Sequence, residues 1–204
     1  MKKYFVTAIG TDSGKTLISA ILCEALGADY WKPVQSGPPA DTDTVRGLVS
    51  NPATQYHPEA YRLKTPASPH AAAAIDGVQV SLDSIQPPAT SNRLIMEGAG
   101  GILVPLNDTD FVIDVAARCA DEVILVSNLY LGNINHTLLS VHYLKAHHLP
   151  VKGIIFNGPP NEASESIILH HAGYPCLLRV PQLPHVNPTV VTHYANILKD
   201  NWND

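Results

Sequence analysis

Cysteine is scarce and dispersed: Cys23, Cys119 and Cys176 are the three in 204 residues, far apart and with no C-x-x-C spacing. That argues against a disulfide framework or a zinc knuckle and fits a reducing cytoplasm, the expected compartment. No apolar run approaches the roughly 18 residues of a spanning helix, so no membrane partner is expected. The start, "MKKYFVTAIG", reads as a first strand rather than a leader. The formal charge is −5 and no lysine/arginine cluster occurs, which argues against a nucleic-acid surface, since phosphate backbones are held by many cations on one face. Internal repeats and low-complexity tracts are missing too. Ten histidines are present, but the adjacent pairs His147-His148 and His170-His171 point different ways on a helix and have no carboxylate at ligand spacing.

What the chain does contain is enough apolar residue, 45%, for one sizeable core, and residues 1–204 are expected to form a single domain. Runs rich in β-branched residues recur: "YFVTAI", "YWKPV" at Tyr30 to Val34, "RLIMEG" from Arg93, "EVILVSN" from Glu122, "VKGIIFNG" from Val151 and "CLLRVP" from Cys176. These read as buried strands. Helical spacing fills Lys15 to Leu26, Phe111 to Cys119, Asn135 to Ala146, Glu162 to His171 and Thr189 to Lys199. Such alternation predicts an α/β fold, a predominantly parallel sheet covered by helices on both faces, with ligands at the carboxyl ends of the strands. Ser36 to Asp41, Tyr56 to Pro69 and Pro181 to Pro188 are rich in turn formers and are predicted to be loops.

The stretch "AIGTDSGKTL", Ala8 to Leu17, nearly spells the phosphate loop G-x-x-x-x-G-K-[ST], but Ile9 stands at the first glycine. Gly14-Lys15-Thr16 nevertheless follows a strand and opens a helix, the context such a loop needs. Backbone N–H groups at the helix start and the Lys15 ammonium would cradle phosphates, and the Thr16 hydroxyl can bind magnesium. The competing reading is an ordinary helix start. Lys32, at the end of the second strand and before a proline, would reach the same site from the other side; the competing reading is a snorkelling surface lysine. Glu97 closes a strand ahead of Gly98-Ala99-Gly100-Gly101, where backbone can approach a ligand closely, and with Asp43 and Thr16 is expected to hold magnesium. Asp43 also fits a helix N-cap, and Asp41 is the rival for its role. The segment Leu131 to Asn135 follows a strand and opens a helix, so its free N–H groups suit a carboxylate; an ordinary N-cap is the alternative.

"FVTAIGTDSGKT", "WKPVQSG", "DTDTV", "PASPHAAA", "MEGAGGILVPL" and "LGNINHTLLS" occur in the order, and at about the spacing, found in dethiobiotin synthetase, and the resemblance covers most of the chain. The resemblance implies a P-loop NTPase-like fold and a cyclo-ligase that takes a diamino acid, 7,8-diaminononanoate, with carbon dioxide, ATP and Mg2+. One amine forms a carbamate, ATP phosphorylates it, and the second amine attacks the mixed anhydride to close a cyclic urea. The loop of that family, G-T-D-T-x-x-G-K-T, places Ala8 at the first glycine and Thr11 at the second threonine, which restricts the backbone at Ala8.

By the same resemblance Thr11, Lys15, Lys32 and Ser36 serve catalysis, and Asp12, Ser13, Gly14, Lys15, Thr16 and Leu17 bind the nucleotide phosphates, with Asp12 a further magnesium candidate. Asn157, Pro181, Gln182 and Leu183 form the adenine pocket. Ser36, Gly98, Ala99, Gly100, Gly132 and Asn135 contact the substrate, Gly132 and Asn135 from the partner subunit of a homodimer with shared sites. Two alternatives remain: a nucleotide-switch ATPase of the partition type, which would carry a lysine where Gly10 stands, and another ATP-dependent amide-forming ligase.

Overall fold

The computed structural model describes residues 1–203. In chain order the elements are β1 (Lys3–Ala8), α1 (Lys15–Leu26), β2 (Asp29–Trp31), β3 (Val34–Ser36), α2 (Asp41–Leu48), β4 (Tyr56–His57), β5 (Tyr61–Leu63), α3 (Pro69–Asp76), β6 (Leu94–Glu97), α4 (Val112–Cys119), β7 (Glu122–Asn128), α5 (Asn133–Ala146), β8 (Val151–Asn157), α6 (Glu162–Ala172), β9 (Cys176–Val180) and α7 (Pro188–Asn201). Seven strands form one sheet in the order β4-β2-β6-β1-β7-β8-β9, and every neighbouring pair is parallel. Among the described residues no helix is long and apolar enough to cross a membrane.

The apolar runs are near-continuous because both faces of the sheet are covered. Along β1, Tyr4, Val6 and Ala8 pack into the cluster shared with α1 and α7, while Phe5 packs into the cluster shared with α4 to α6. Each large side chain buried this way contributes about 1.5–3 kcal/mol. The two clusters fix β1 in mid-sheet, so the turn after Ala8 emerges at the centre of the carboxyl edge.

Two expectations need correction. "YWKPV" is not one strand: pairing with β6 stops at Trp31, and after Lys32-Pro33 the chain leaves the sheet as β3, which pairs in parallel with β5. Proline has no N–H to continue the ladder and fixes its own φ, so the strand turns away there. Tyr56 to Pro69 is likewise not wholly loop. It contains β4, an edge strand beside β2, and β5, which brings Pro66 to Pro69 over the site.

Candidate active site

The loop between β1 and α1 lies at the carboxyl edge of the sheet. Its conformation is set by glycine at Gly14, whose φ of 87° is left-handed, and a Cβ there would lie 2.2 Å from the Asn157 amide nitrogen. That amide donates to the Ser13 carbonyl at 2.9 Å, and the Ser13 hydroxyl donates to Asn128 Oδ1 at 2.8 Å. The ends of β7 and β8 therefore pin the loop. Gly14→Ala is expected to weaken ATP binding about tenfold or more, since left-handed backbone on a non-glycine costs about 1–3 kcal/mol before the clash with Asn157; calorimetric titration measures it.

Ala8, by contrast, is fully buried inside β1 and paired opposite Val126. An extended position requires no glycine, so the residue expected to restrict the loop lies before the loop begins.

Lys15 is only 7% exposed, and its ammonium donates to the Gly10 carbonyl at 3.1 Å. Burial, with the Lys32 charge next in importance, lowers its pKa to about 8. Lys32 is buried as well, which overturns the snorkelling alternative. Its Nζ lies 2.6 Å from Asp41 Oδ2 and 3.1 Å from Glu97 Oε1, and donates to the Gly98 carbonyl at 2.9 Å. Burial works against its charge, but Glu97 and Asp41 outweigh that and hold its pKa above the ordinary lysine value. Burial likewise works against the Asp41 carboxylate, and Lys32 with its hydrogen bond holds it below the usual carboxylate range.

The Thr16 hydroxyl faces both acids, 3.2 Å from Asp41 Oδ1 and 3.0 Å from Glu97 Oε1. Asp43 is outside this group: it is 62% exposed and pairs with Arg46 at 2.7 Å. Helix α2 starts at Asp41, and two residues along a helix rotate the side chain by about 200°, so the acid facing Thr16 is Asp41 and the expectation for Asp43 is corrected. The backbone N–H of Asp41 is held by Gln35 Oε1 at 3.0 Å, which anchors this end of α2 to β3.

Three converging hard oxygens, from Thr16, Asp41 and Glu97, suit magnesium, which takes a few protein oxygens and keeps several waters. The site offers two carboxylates and one hydroxyl, and among the described residues no group of three or more His, Cys, Asp or Glu side chains could hold a metal ion, here or elsewhere. Asp41→Asn is expected to raise the magnesium concentration for half-maximal activity several-fold, and Asp43→Asn to leave it unchanged. A magnesium titration of both variants decides the assignment; the reverse pattern would restore Asp43.

These groups line a cleft of about 690 Å³ that also takes in Thr11, Asp12, Ser13, Ser36, Ala99 and Gly100 from the expected set. Ser36 Oγ is buried with no hydrogen-bond partner. Gly98 lies behind the wall and contributes only its carbonyl to Lys32. Asp12 also lines a neighbouring pocket of about 440 Å³ with Leu17, Asn157, Pro181, Gln182 and Leu183, which joins the expected base pocket to the phosphate loop. Gly132 and Asn135 line neither space: Gly132 is the N-cap of α5, which begins at Asn133, and both are exposed. Gln35, Asn128 and the Pro66 to Pro69 wall were not anticipated. Gln35 and the wall carried a signal, the quoted "WKPVQSG" and "PASPHAAA".

A parallel sheet whose central strand runs into a glycine-lysine-threonine helix start, with an acid at the end of the adjacent strand, defines a P-loop NTPase-type α/β protein. A family profile described as an AAA domain matches residues 2–190. The ATP-dependent dethiobiotin synthetase BioD of Cytophaga hutchinsonii is 59% identical over 99% of both chains. That of Christiangramia forsetii is 45% identical over 95% of this chain and 94% of its own. Among solved structures, a ParA family ATPase from Chlorobium tepidum has a TM-score of 0.61 at 13% identity, covering 96% of this chain and 98% of that one. The Pyrococcus furiosus cell division ATPase MinD also reaches 0.61, at 14% identity and 98% of each chain. Likeness at that identity is one of fold alone. The chain belongs to the dethiobiotin synthetase family.

Proposed function

We infer that this chain uses ATP and magnesium to join 7,8-diaminononanoate and carbon dioxide into the cyclic urea of dethiobiotin, releasing ADP and phosphate. The observation that carries this reading is the meeting, in one cleft, of two buried lysines, a hydroxyl, two carboxylates and the unpaired Ser36 hydroxyl. Bound magnesium would supply charge neutralisation on the transferring phosphate. The first-turn N–H groups of α1, at Lys15, Thr16 and Leu17, have no intrahelical acceptor and are free for phosphate oxygens, with Lys15 as their counter-charge.

Lys32 serves the second substrate. A carbamate formed on one amine carries a negative charge, and Lys32, held charged by Asp41 and Glu97, stabilises it beside the phosphates while Ser36 hydrogen-bonds to it. The carbamate oxygen attacks the γ-phosphorus and ADP leaves; the second amine then attacks the carbamoyl carbon, phosphate leaves, and the ring closes. Thr11, Ala99 and Gly100 bound the room for the diamino acid.

The carboxylate end of that substrate is held by the Gly132 to Asn135 segment of a second copy of the chain in a twofold dimer. Supporting this are the placement of both residues outside their own cleft and the exposed apolar side chains around them, with Leu131 fully exposed and Leu139 and Leu103 at 60% and 47%. Unpaired Cys23, Cys119 and Cys176 suit a cytoplasmic enzyme. Incubation with ATP, magnesium, the diamino acid and isotopically labelled bicarbonate tests the reaction: the label is expected in a cyclic urea by mass spectrometry. ATP consumption without incorporation of label would favour a different ATPase.

A further inference from the structure

Tyr30 lies in the middle of β2 and is fully buried among apolar residues on the α1 face of the sheet. A phenylalanine would fill that space equally well. The hydroxyl adds a buried polar atom that has to find a partner, and its partner is Glu97, whose Oε2 it reaches at 2.9 Å. At that distance the phenol O–H is the donor and the carboxylate oxygen the acceptor.

The two oxygens of Glu97 therefore have separate tasks. Oε1 faces the Thr16 hydroxyl and Lys32, toward the cleft, while Oε2 is turned inward onto Tyr30. Glu97 is 1% exposed, so its inward oxygen is out of contact with bulk solvent and is satisfied by a protein donor. Without the tyrosine hydroxyl the carboxylate would be free to rotate and engage Lys32 with both oxygens. We propose that Tyr30 is a positioning residue that holds Glu97 so that a single oxygen is presented to the metal beside Thr16. This inference rests on the magnesium reading above and deepens it.

The test is a manganese titration followed by electron paramagnetic resonance, in the presence of adenylyl imidodiphosphate, on the wild-type chain and on Tyr30→Phe, Glu97→Gln and the double variant. Loss of one buried charge-assisted hydrogen bond corresponds to about tenfold weaker metal binding in Tyr30→Phe. Glu97→Gln is expected to lose more, and Tyr30→Phe to add nothing in the Glu97→Gln background, because the tyrosine acts only through that carboxylate. Tyr56→Phe, on the ring packed beside Tyr30, is the control for general packing and is expected to bind as the wild type does.

Unchanged binding in Tyr30→Phe while Glu97→Gln weakens it overturns the positioning role alone. Unchanged binding in Glu97→Gln overturns the metal reading beneath it. Should Tyr30→Phe not fold, Tyr30→3-fluorotyrosine keeps both ring and hydroxyl. Its fluorine resonance is expected to move when magnesium is added with the same nucleotide analogue, and an unmoved resonance contradicts the proposal.

Discussion

Lys15→Ala is expected to lower turnover about 10²-fold or more while the protein stays folded, because a lost charge contact to a transferring phosphoryl group is worth that much in the transition state. The residue is buried rather than exposed, so the folded state needs a separate argument. Among the described residues the Lys15 ammonium has a single hydrogen-bond partner, the Gly10 carbonyl, and no ion pair. Burial lowers its pKa to about 8, so the charge is already disfavoured there, and its truncation leaves no carboxylate without a contact partner. Lys32 differs in this respect. Removing it would leave Asp41 and Glu97 uncompensated, and breaking a buried pair of that kind costs about 3–5 kcal/mol of stability. Turnover and thermal unfolding measured together separate the cases: wild-type rates in Lys15→Ala would remove the phosphate-loop assignment.

Mixing Lys15→Ala with Asn135→Ala is expected to recover about a quarter of wild-type activity from two nearly inactive parents. If each site takes its phosphate loop from one chain and its substrate-carboxylate contact from the other, half of a randomly exchanged population is mixed dimer. Each mixed dimer has one site with both defects and one site with neither. Mixtures as inactive as the parents, after subunit exchange is demonstrated by differently tagged chains, would confine Asn135 to its own chain. No defect at all in Asn135→Ala would leave it an ordinary first-turn residue of α5.

The parallel sheet could be read from the sequence because its strands are buried on both faces and spell unbroken apolar runs. Lys15, Thr16, Lys32 and Glu97 could be placed because each sits at a strand end or helix start, where position along the chain already fixes position on the carboxyl edge. Legibility failed where a side chain's direction depended on a boundary. A shift of two residues in the start of α2 exchanges Asp43 for Asp41. One proline splits the second strand and sends Val34 to Ser36 into a separate pair with β5. Tyr30 was legible only as a core residue, since nothing along the chain shows that its hydroxyl meets an acid 67 residues away. The missing loop glycine misled in the other direction: Ala8 already lay in the apolar run read as the first strand, and as a strand residue paired opposite Val126 it places no restriction on the loop.

Phosphate release measured with ATP, magnesium, bicarbonate and 7,8-diaminononanoate, each omitted in turn, tests the proposed reaction most directly. Release is expected only with all four present, at a rate matching the formation of the cyclic urea, because the γ-phosphoryl acceptor is the carbamate and not water. Steady release without the diamino acid or bicarbonate would contradict this and make the cleft that of a nucleotide hydrolase.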